Sequence, residues 1–309
     1  MILSVIIPTL NEARRLPALI ARLRGEASDA EIIIVDGGST DATVATAGDL
    51  GLQVIETAPG RGGQLCAGAD AALGDVLFFL HADTFVPSDV VSVIRDAFCF
   101  DARVVCGGFV SLIETETKTY WGLSLHNVLK TYYTPLLVKP LSFYRGLRCL
   151  FGDQAMFADA ACFRSVSGFD EALPIMEDAD LCLRLHESGW VRGSNGEQGA
   201  RHAHRDAVPA LTCAGKWEHV SEDDNYVRFR EKKQKRFRKT TLAPKATGSN
   251  LGRIVLVNRV VTTSGRRIEG LGNVKATLTH FLIGVSWYCG ADPDAMVALY
   301  RKFYPPANP

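Results

Sequence analysis

The feature that most constrains this chain is the rhythm of its first hundred residues, where short unbroken apolar runs alternate with helical segments. Leu3–Ile7, Glu31–Val35, Leu52–Ile55 and Val76–Leu80 read as strands. Between them, Asn11–Leu23 sets Leu16, Leu19 and Leu23 at helical spacing, and Ala42–Asp49 and Gln64–Leu73 also favour helix. A strand that is apolar at nearly every position, not at every second one, needs cover on both faces. Such strands alternating with helices predict a doubly wound α/β sheet. Beyond residue 100 the rhythm loosens. Val104–Val110 and Asp153–Ala158 read as strands, Thr119–Tyr133 as a helix broken at Pro135, and Glu177–Glu187 as a helix stopped by Gly189. Residues 193–252 are polar, glycine-bearing and dense in charge, after which Ile254–Val261 returns as a buried strand. Helices over Lys275–Cys289 and Pro293–Phe303 close the chain. The expected organisation is one α/β domain over 1–192 and 253–309, with an insertion of unknown role at 193–252.

Thirty-four basic residues balance 34 acidic ones, so the molecule as a whole has no pull towards nucleic acid or an anionic membrane. No nucleic-acid partner is expected. None of the eight cysteines forms a CxxC pair, and most lie in apolar surroundings, which favours reduced, buried thiols over a disulfide framework. The N-terminus lacks the basic start and cleavage region of a signal peptide. The most apolar late stretch, Leu278–Cys289, is interrupted by His280 and Gly284 and falls short of the roughly 20 residues a spanning helix needs. A cytoplasmic protein with at most peripheral membrane contact is the expectation.

In an open α/β sheet, ligands bind beyond the carboxyl ends of the strands. The first strand ends in Pro8-Thr9-Leu10-Asn11-Glu12, where Pro8 is expected to stop the ladder and Thr9 and Asn11 offer hydrogen bonds. A capped helix entry looks the same. The second ends in Asp36-Gly37-Gly38-Ser39-Thr40-Asp41. Its carboxylate can accept from a base or ribose, its glycines leave room for a flat ligand, and Ser39 or Asp41 can cap the next helix. After the third comes Gly60-Arg61-Gly62-Gly63-Gln64, either a flexible glycine turn with a solvated Arg or a stretch free of side chains where Arg61 holds a phosphate or base. The fourth delivers His81-Ala82-Asp83-Thr84. A divalent cation bridging a diphosphate takes one or two protein carboxylates, and Asp83 meets that need, although a helix cap needs the same residue. Finally, Glu177, Asp178 and Asp180 crowd the first turn of a helix, either as dipole-favoured caps or with one serving as a general base kept ionised by that dipole.

Together these pieces resemble the family 2 glycosyltransferases over residues 3–190. The motifs are Ser4-Val-Ile-Ile-Pro-Thr-Leu-Asn-Glu, Ile34-Val-Asp-Gly-Gly-Ser-Thr-Asp, Phe79-Leu-His-Ala-Asp-Thr, Gly168-Phe-Asp and Glu177-Asp. His-Ala-Asp-Thr, Gly152-Asp-Gln and Thr262-Thr-Ser-Gly-Arg-Arg are similar to a small subgroup linked to arsenosugar biosynthesis. The resemblance implies a GT-A-like, Rossmann-like mixed sheet and inverting transfer of a single sugar from a nucleotide-diphosphate sugar to an acceptor hydroxyl. It implies a donor site of Pro8, Thr9, Asn11, Glu12, Asp36, Gly37, Ser39, Arg61, Gln64 and Asp83. Asp83 would hold Mg²⁺ or Mn²⁺, and Asp178 would be the base with Glu177 beside it. The acceptor, a small molecule or a lipid-linked one, is open. The chain departs from many relatives in carrying His81 where they have Asp, and Cys66 where the subgroup usually has Asn. It also lacks the Gln-x-x-Arg-Trp motif of polymer synthases.

Two other functions compete. A nucleotidyltransferase would open with a glycine-rich basic loop, and Pro8–Glu12 has no glycine. A non-catalytic nucleotide-sugar-binding protein would be favoured by loss of Asp83 or Asp178, and both are present. The basic run Arg228–Lys239 reads as a solvated helix or loop face, or as a binder of an anionic acceptor, lipid headgroup or nucleic acid. His202 and His204 lie in the same insertion.

Overall fold

A computed structural model describes residues 1–190, 217–223, 226–231, 251–266, 273–288 and 290–303. The first half is a run of strand–helix units. These are β1 (Leu3–Thr9), α1 (Leu16–Glu26), β2 (Glu31–Asp36), α2 (Thr43–Asp49), β3 (Gln53–Glu56), α3 (Arg61–Ala71) and β4 (Val76–Phe79). There follow β5 (Thr84–Phe85), α4 (Val90–Phe100), β6 (Val104–Glu114), α5 (Trp121–Val138), α6 (Pro140–Tyr144), a 3₁₀ turn at Gly152–Gln154, β7 (Phe157–Asp159), α7 (Ala160–Ser165) and α8 (Glu177–Glu187). The remainder comprises β8 (Trp217–Asp223), β9 (Tyr226–Glu231), β10 (Arg253–Ser264), α9 (Asn273–Tyr288) and α10 (Pro293–Phe303).

The strands form one mixed sheet in the order β5-β10-β6-β7-β4-β1-β2-β3-β9-β8. β1 runs parallel to β2 and β4, and β3 parallel to β2, whereas β7 lies antiparallel between β4 and β6. Successive residues of β1 feed opposite faces. Ile6 joins Ile33, Val35 and Phe79 under α3, α7 and α8, while Val5 and Ile7 join Ile34 and Phe78 under α1, α2 and α4. Two covered faces are what unbroken apolar strands demand, and the expected doubly wound α/β class is what the chain adopts.

Several local expectations change. β1 does not stop at Pro8, which pairs in register with Val35, so the strand carries Thr9 level with Asp36. α1 begins at Leu16, because Asn11 takes a left-handed φ of 58° and turns the chain first. α5 runs through Pro135 to Val138. The Thr131 carbonyl that proline leaves without a helical donor accepts instead from the Cys149 amide at 3.3 Å. Within 193–252, residues 217–223 and 226–231 are strands, with β9 parallel to β3 and β8 antiparallel to β9. The start of the basic run, Arg228–Glu231, is thus neither helix nor loop, since the open edge of β3 offers unpaired backbone groups to it. Expectations for His202 and His204 and for Cys213 and Cys289 lie outside the described residues. Cys66, Cys99, Cys106, Cys149, Cys162 and Cys182 are free thiols, all buried but Cys99.

Candidate active site

The parallel strands end at one rim, and their tips are tied together by side chains. Asp36, 1% exposed, spends its whole carboxylate on that task. One oxygen accepts from Thr9 Oγ1 at 3.1 Å and from Ser39 Oγ at 2.5 Å, and the other from the amides of Gly38 and Ser39 at 2.9 and 2.7 Å. Asn11 joins the same tips. Its side-chain oxygen accepts from the Thr40 and Asp41 amides at 2.9 and 3.3 Å, and its own amide donates to Ser39 Oγ at 2.8 Å. Asp41, not Ser39, caps the turn into α2, accepting from the Thr43 amide at 2.9 Å. Gln64 is buried beneath the tips and donates to the carbonyls of Thr9 and Val35 at 3.0 and 2.8 Å. That gives Gly37 its reason, because a Cβ there would meet Gln64 Nε2 at 2.9 Å. Pro8 to Glu12, Asp36 to Ser39 and Gln64 are therefore brought together.

Arg61 is not in a loop. It is the first residue of α3, entered through Gly60 at φ 155°. Its guanidinium spans the two carboxylates that open α8, 2.9 Å from Glu177 and 3.1 Å from Asp178. Gly152 makes the room, since a Cβ there would lie 1.8 Å from the guanidinium. Met176, with a left-handed φ of 67°, turns the chain sharply so that both carboxylates reach inward. Burial pushes the Glu177 carboxyl up to about 7 and raises Asp178 too, each partly restrained by Arg61. Desolvation thus works against the helix dipole at Asp178, since burial disfavours the charged form of a carboxyl that the dipole favours. The same carboxylates, with Asp153, hold the Arg61 proton more tightly despite burial.

Asp153 extends this polar network inward, accepting from Ser111 Oγ at 3.2 Å and from the Asn127 side-chain amide. Lys130 is buried beside it with its ammonium 3.9 Å from the Phe151 ring centre, and desolvation lowers its pKa. Arg61 Nε and Asn127 Oδ1 are buried without a hydrogen-bond partner among the described residues. Buried polar atoms without a partner call for an explanation, and an unmet bond to a ligand or water is one. Asn127 and Lys130 were not legible as site residues, because they come from α5, far from any strand tip; Ser111 directly follows the expected strand Val104–Val110, but no motif marked it. Gly152-Asp-Gln was a visible motif without an assigned role.

At the tip of β4 a turn from His81 to Thr84 presents Asp83, and Thr84 is fastened to Thr263 of β10 at 3.0 Å. Arg266 follows β10 and reaches back. One of its nitrogens lies 2.6 Å from Glu12 and 3.3 Å from Asp83. Two carboxylates from different strands thus already share one cation. That is the donor set from which Mg²⁺ or Mn²⁺ would take one or two protein ligands, with phosphate and water filling the rest, so the residues fit a metal. Among the described residues no cluster of three or more His, Cys, Asp or Glu is placed for one.

A family model described as Glycosyl transferase family 2 matches residues 4–172. Of curated proteins, the pre-mycofactocin glycosyltransferase of Mycobacterium tuberculosis is 29% identical over 192 residues, 60% of this chain and 39% of that protein. A PGL/p-HBAD biosynthesis glycosyltransferase of Mycobacterium bovis is 42% identical over 88 residues, 26% of this chain and 34% of its own length. The chain spans no more than 39% of either relative. Among solved structures, glucosyl-3-phosphoglycerate synthase from Mycobacterium tuberculosis in complex with phosphoglyceric acid is similar with a TM-score of 0.52 at 16% identity, over 94% of this chain and 80% of that one. That likeness is one of fold, the GT-A fold. With the family model covering more than half of the 309 residues, and its motifs gathered at one rim of the sheet, the chain belongs to glycosyl transferase family 2.

Proposed function

We propose that the chain moves a single sugar from a nucleotide-diphosphate sugar to an acceptor hydroxyl, with inversion and with a divalent metal held at Asp83. The observation that carries this reading is the common rim. Thr9 and Asp36 end neighbouring strands, Asp83 sits in the turn that follows the adjacent strand β4, and Asp178 is joined to the same rim by Arg61 at the head of α3. The nucleoside would lie over the Asp36–Ser39 turn, beside the strand tips that Gln64 ties together. A bound metal would neutralise charge on the departing diphosphate. Asp178 would take the acceptor proton as the acceptor oxygen bonds to the anomeric carbon, the glycosidic electron pair leaving with the diphosphate. Glu177 and Arg61 set the protonation of that base, and positioning of both substrates contributes much of the rate.

The subgroup linked to arsenosugar biosynthesis is the proposed relationship, on the strength of His81-Ala82-Asp83-Thr84 and Gly152-Asp153-Gln154. The synthase of similar fold is seen with Mn²⁺, UDP-glucose and phosphoglyceric acid, which makes the first two the pair to try first. A thermal-shift screen of UDP-, GDP- and dTDP-sugars with and without Mn²⁺ is expected to give one nucleotide that raises Tm more with metal than without. Asp178→Asn should keep that shift and lose transfer by about 10²–10⁴-fold. No stabilisation by any nucleotide under either condition would refute the donor site.

A further inference from the structure

Helix α5 is inside out. Its buried face carries Ser124, Asn127, Lys130, Thr131 and Thr134, with Leu123 and Pro135 at its two ends. Its outward face carries Trp121, Leu125, Leu129, Tyr132 and Leu136, with Trp121 70% exposed. Those outward residues recur at spacings of three and four, so they form one stripe along the helix. Helix α9 packs against α5, burying Ala276, Thr279 and Ile283, while Leu278, Phe281, Leu282 and Val285 face out. Short α6, also packed on α5, adds Leu141 at 74% and Tyr144 at 79% exposed. Scattered exposed leucines are ordinary, but three adjoining helices with apolar outer faces are not.

Charge lies at the edge of this face. An open pocket of about 670 Å³ begins at Tyr144 and is lined by Arg103, Arg145, Arg148 and Arg253. Asp101 is the carboxylate in contact there, paired with Arg103 and Arg253 at 2.8 and 3.1 Å. The Arg145 side chain makes no hydrogen bond or ion pair among the described residues. Arg148 stacks over Phe143 and over Tyr132 of the stripe, 4.3 and 5.2 Å from the ring centres, which ties the basic pocket to the apolar face. No described helix is long and apolar enough to cross a membrane.

We infer that the α5–α6–α9 face docks on an anionic lipid surface, its leucines and aromatics entering the headgroup–acyl boundary while the arginine pocket takes headgroup phosphate. An apolar stripe beside surplus positive charge is the chemistry such a surface recognises. A protein partner or a second copy would need matching acidic groups opposite the arginines, and the chain's overall neutrality does not preclude a local pull of this kind. The buried side of the same helix carries Asn127 and Lys130 towards Asp153 and Asp178. Docking would therefore set the Asp153–Asp178 site near the lipid, suiting an amphiphilic acceptor; that consequence rests on the transfer reading, the docking does not.

The test is flotation of the full chain with vesicles of phosphatidylcholine alone or mixed equally with phosphatidylglycerol. Flotation is expected with the mixed vesicles, weaker at high salt, and absent with phosphatidylcholine alone. The double variant Leu125→Glu, Leu129→Glu should lose it while keeping the wild-type Tm. Arg145→Glu, Arg148→Glu should weaken apparent affinity by roughly fivefold or more per arginine. Trp121 fluorescence should move to the blue on binding, and Trp121→Phe should remove most of that shift. Failure of the wild type to float would overturn the inference. So would a wild-type dimer that the Leu125/Leu129 variant converts to monomer, since a second copy would then be the occupant. Nucleotide thermal shifts on the same samples keep the two readings apart. Vesicle binding without any nucleotide effect would sink the transfer reading alone.

Discussion

If Asp178 is the base, Arg61 would set its working state. Burial raises Asp178 and lifts Glu177 to about 7, and Arg61 pulls both back. A base acts only when deprotonated, so kcat/KM is expected to rise with pH through this pair's range and level off above it. Because the guanidinium lowers both carboxyls, Arg61→Gln should move the acid limb of the pH–rate profile to higher pH by about 1 unit or more. A limb that stays put would mean that another group limits the rate. Arg266 would have the matching part at the proposed metal site. Its guanidinium lies 3.3 Å from Asp83, where a divalent cation would have to displace it. Arg266→Ala is expected to strengthen nucleotide-free Mn²⁺ binding several-fold by electron paramagnetic resonance. An unchanged affinity would show that the two cations do not compete.

At the scale of elements, α3 does two jobs. Its N-terminus delivers Arg61, and its small residues let it lie close on β1 and β2. A Cβ at Gly68 would come 2.4 Å from Ile6 and 3.0 Å from Val35. Gly68→Ala should therefore lower stability by about 1–3 kcal/mol in urea titration despite alanine's better helix propensity, because the helix must lift from a close-packed sheet. Lifting it would also draw Arg61 from Asp178, so transfer should fall in step. The run of small residues in Gln64–Leu73 was readable as a helix, yet its start was not. Glycines at 60, 62 and 63 look like a turn, and only the contacts of Arg61 with α8 show why the helix begins there. The break expected at Pro135 failed for a similar reason, a partner for the Thr131 carbonyl lying 18 residues further along the chain.

Across the whole molecule, two large cores hold the sheet, one on each face, and a small third cluster of Ile113, Tyr120, Leu123 and Ala276 joins β6 to α5 and α9. Phe157 of β7 sits in the second, edge-on to Phe98 and Phe109 with ring centres 5.6 and 5.8 Å away. A Cβ at Gly107 would lie 2.3 Å from its ring, so the strands are packed around it without slack. Phe157→Ala is expected to cost about 3–5 kcal/mol of unfolding free energy by chemical denaturation. A smaller loss would mean that the neighbouring rings close over the cavity.

Alternation of apolar strands with helices was enough to determine the α/β class, since burial on both faces is a property of each strand's own residues. The strand-tip motifs were legible for the same reason, as the end of an apolar run marks the rim. Pairings between residues distant in the chain were not. Arg61 with Glu177 and Asp178, Arg266 with Glu12 and Asp83, and the polar underside of α5 depend on which elements become neighbours. Periodicity gives the face of a helix only when that face is apolar. In α5 the burial is reversed, and the tertiary structure alone decided which side points inward.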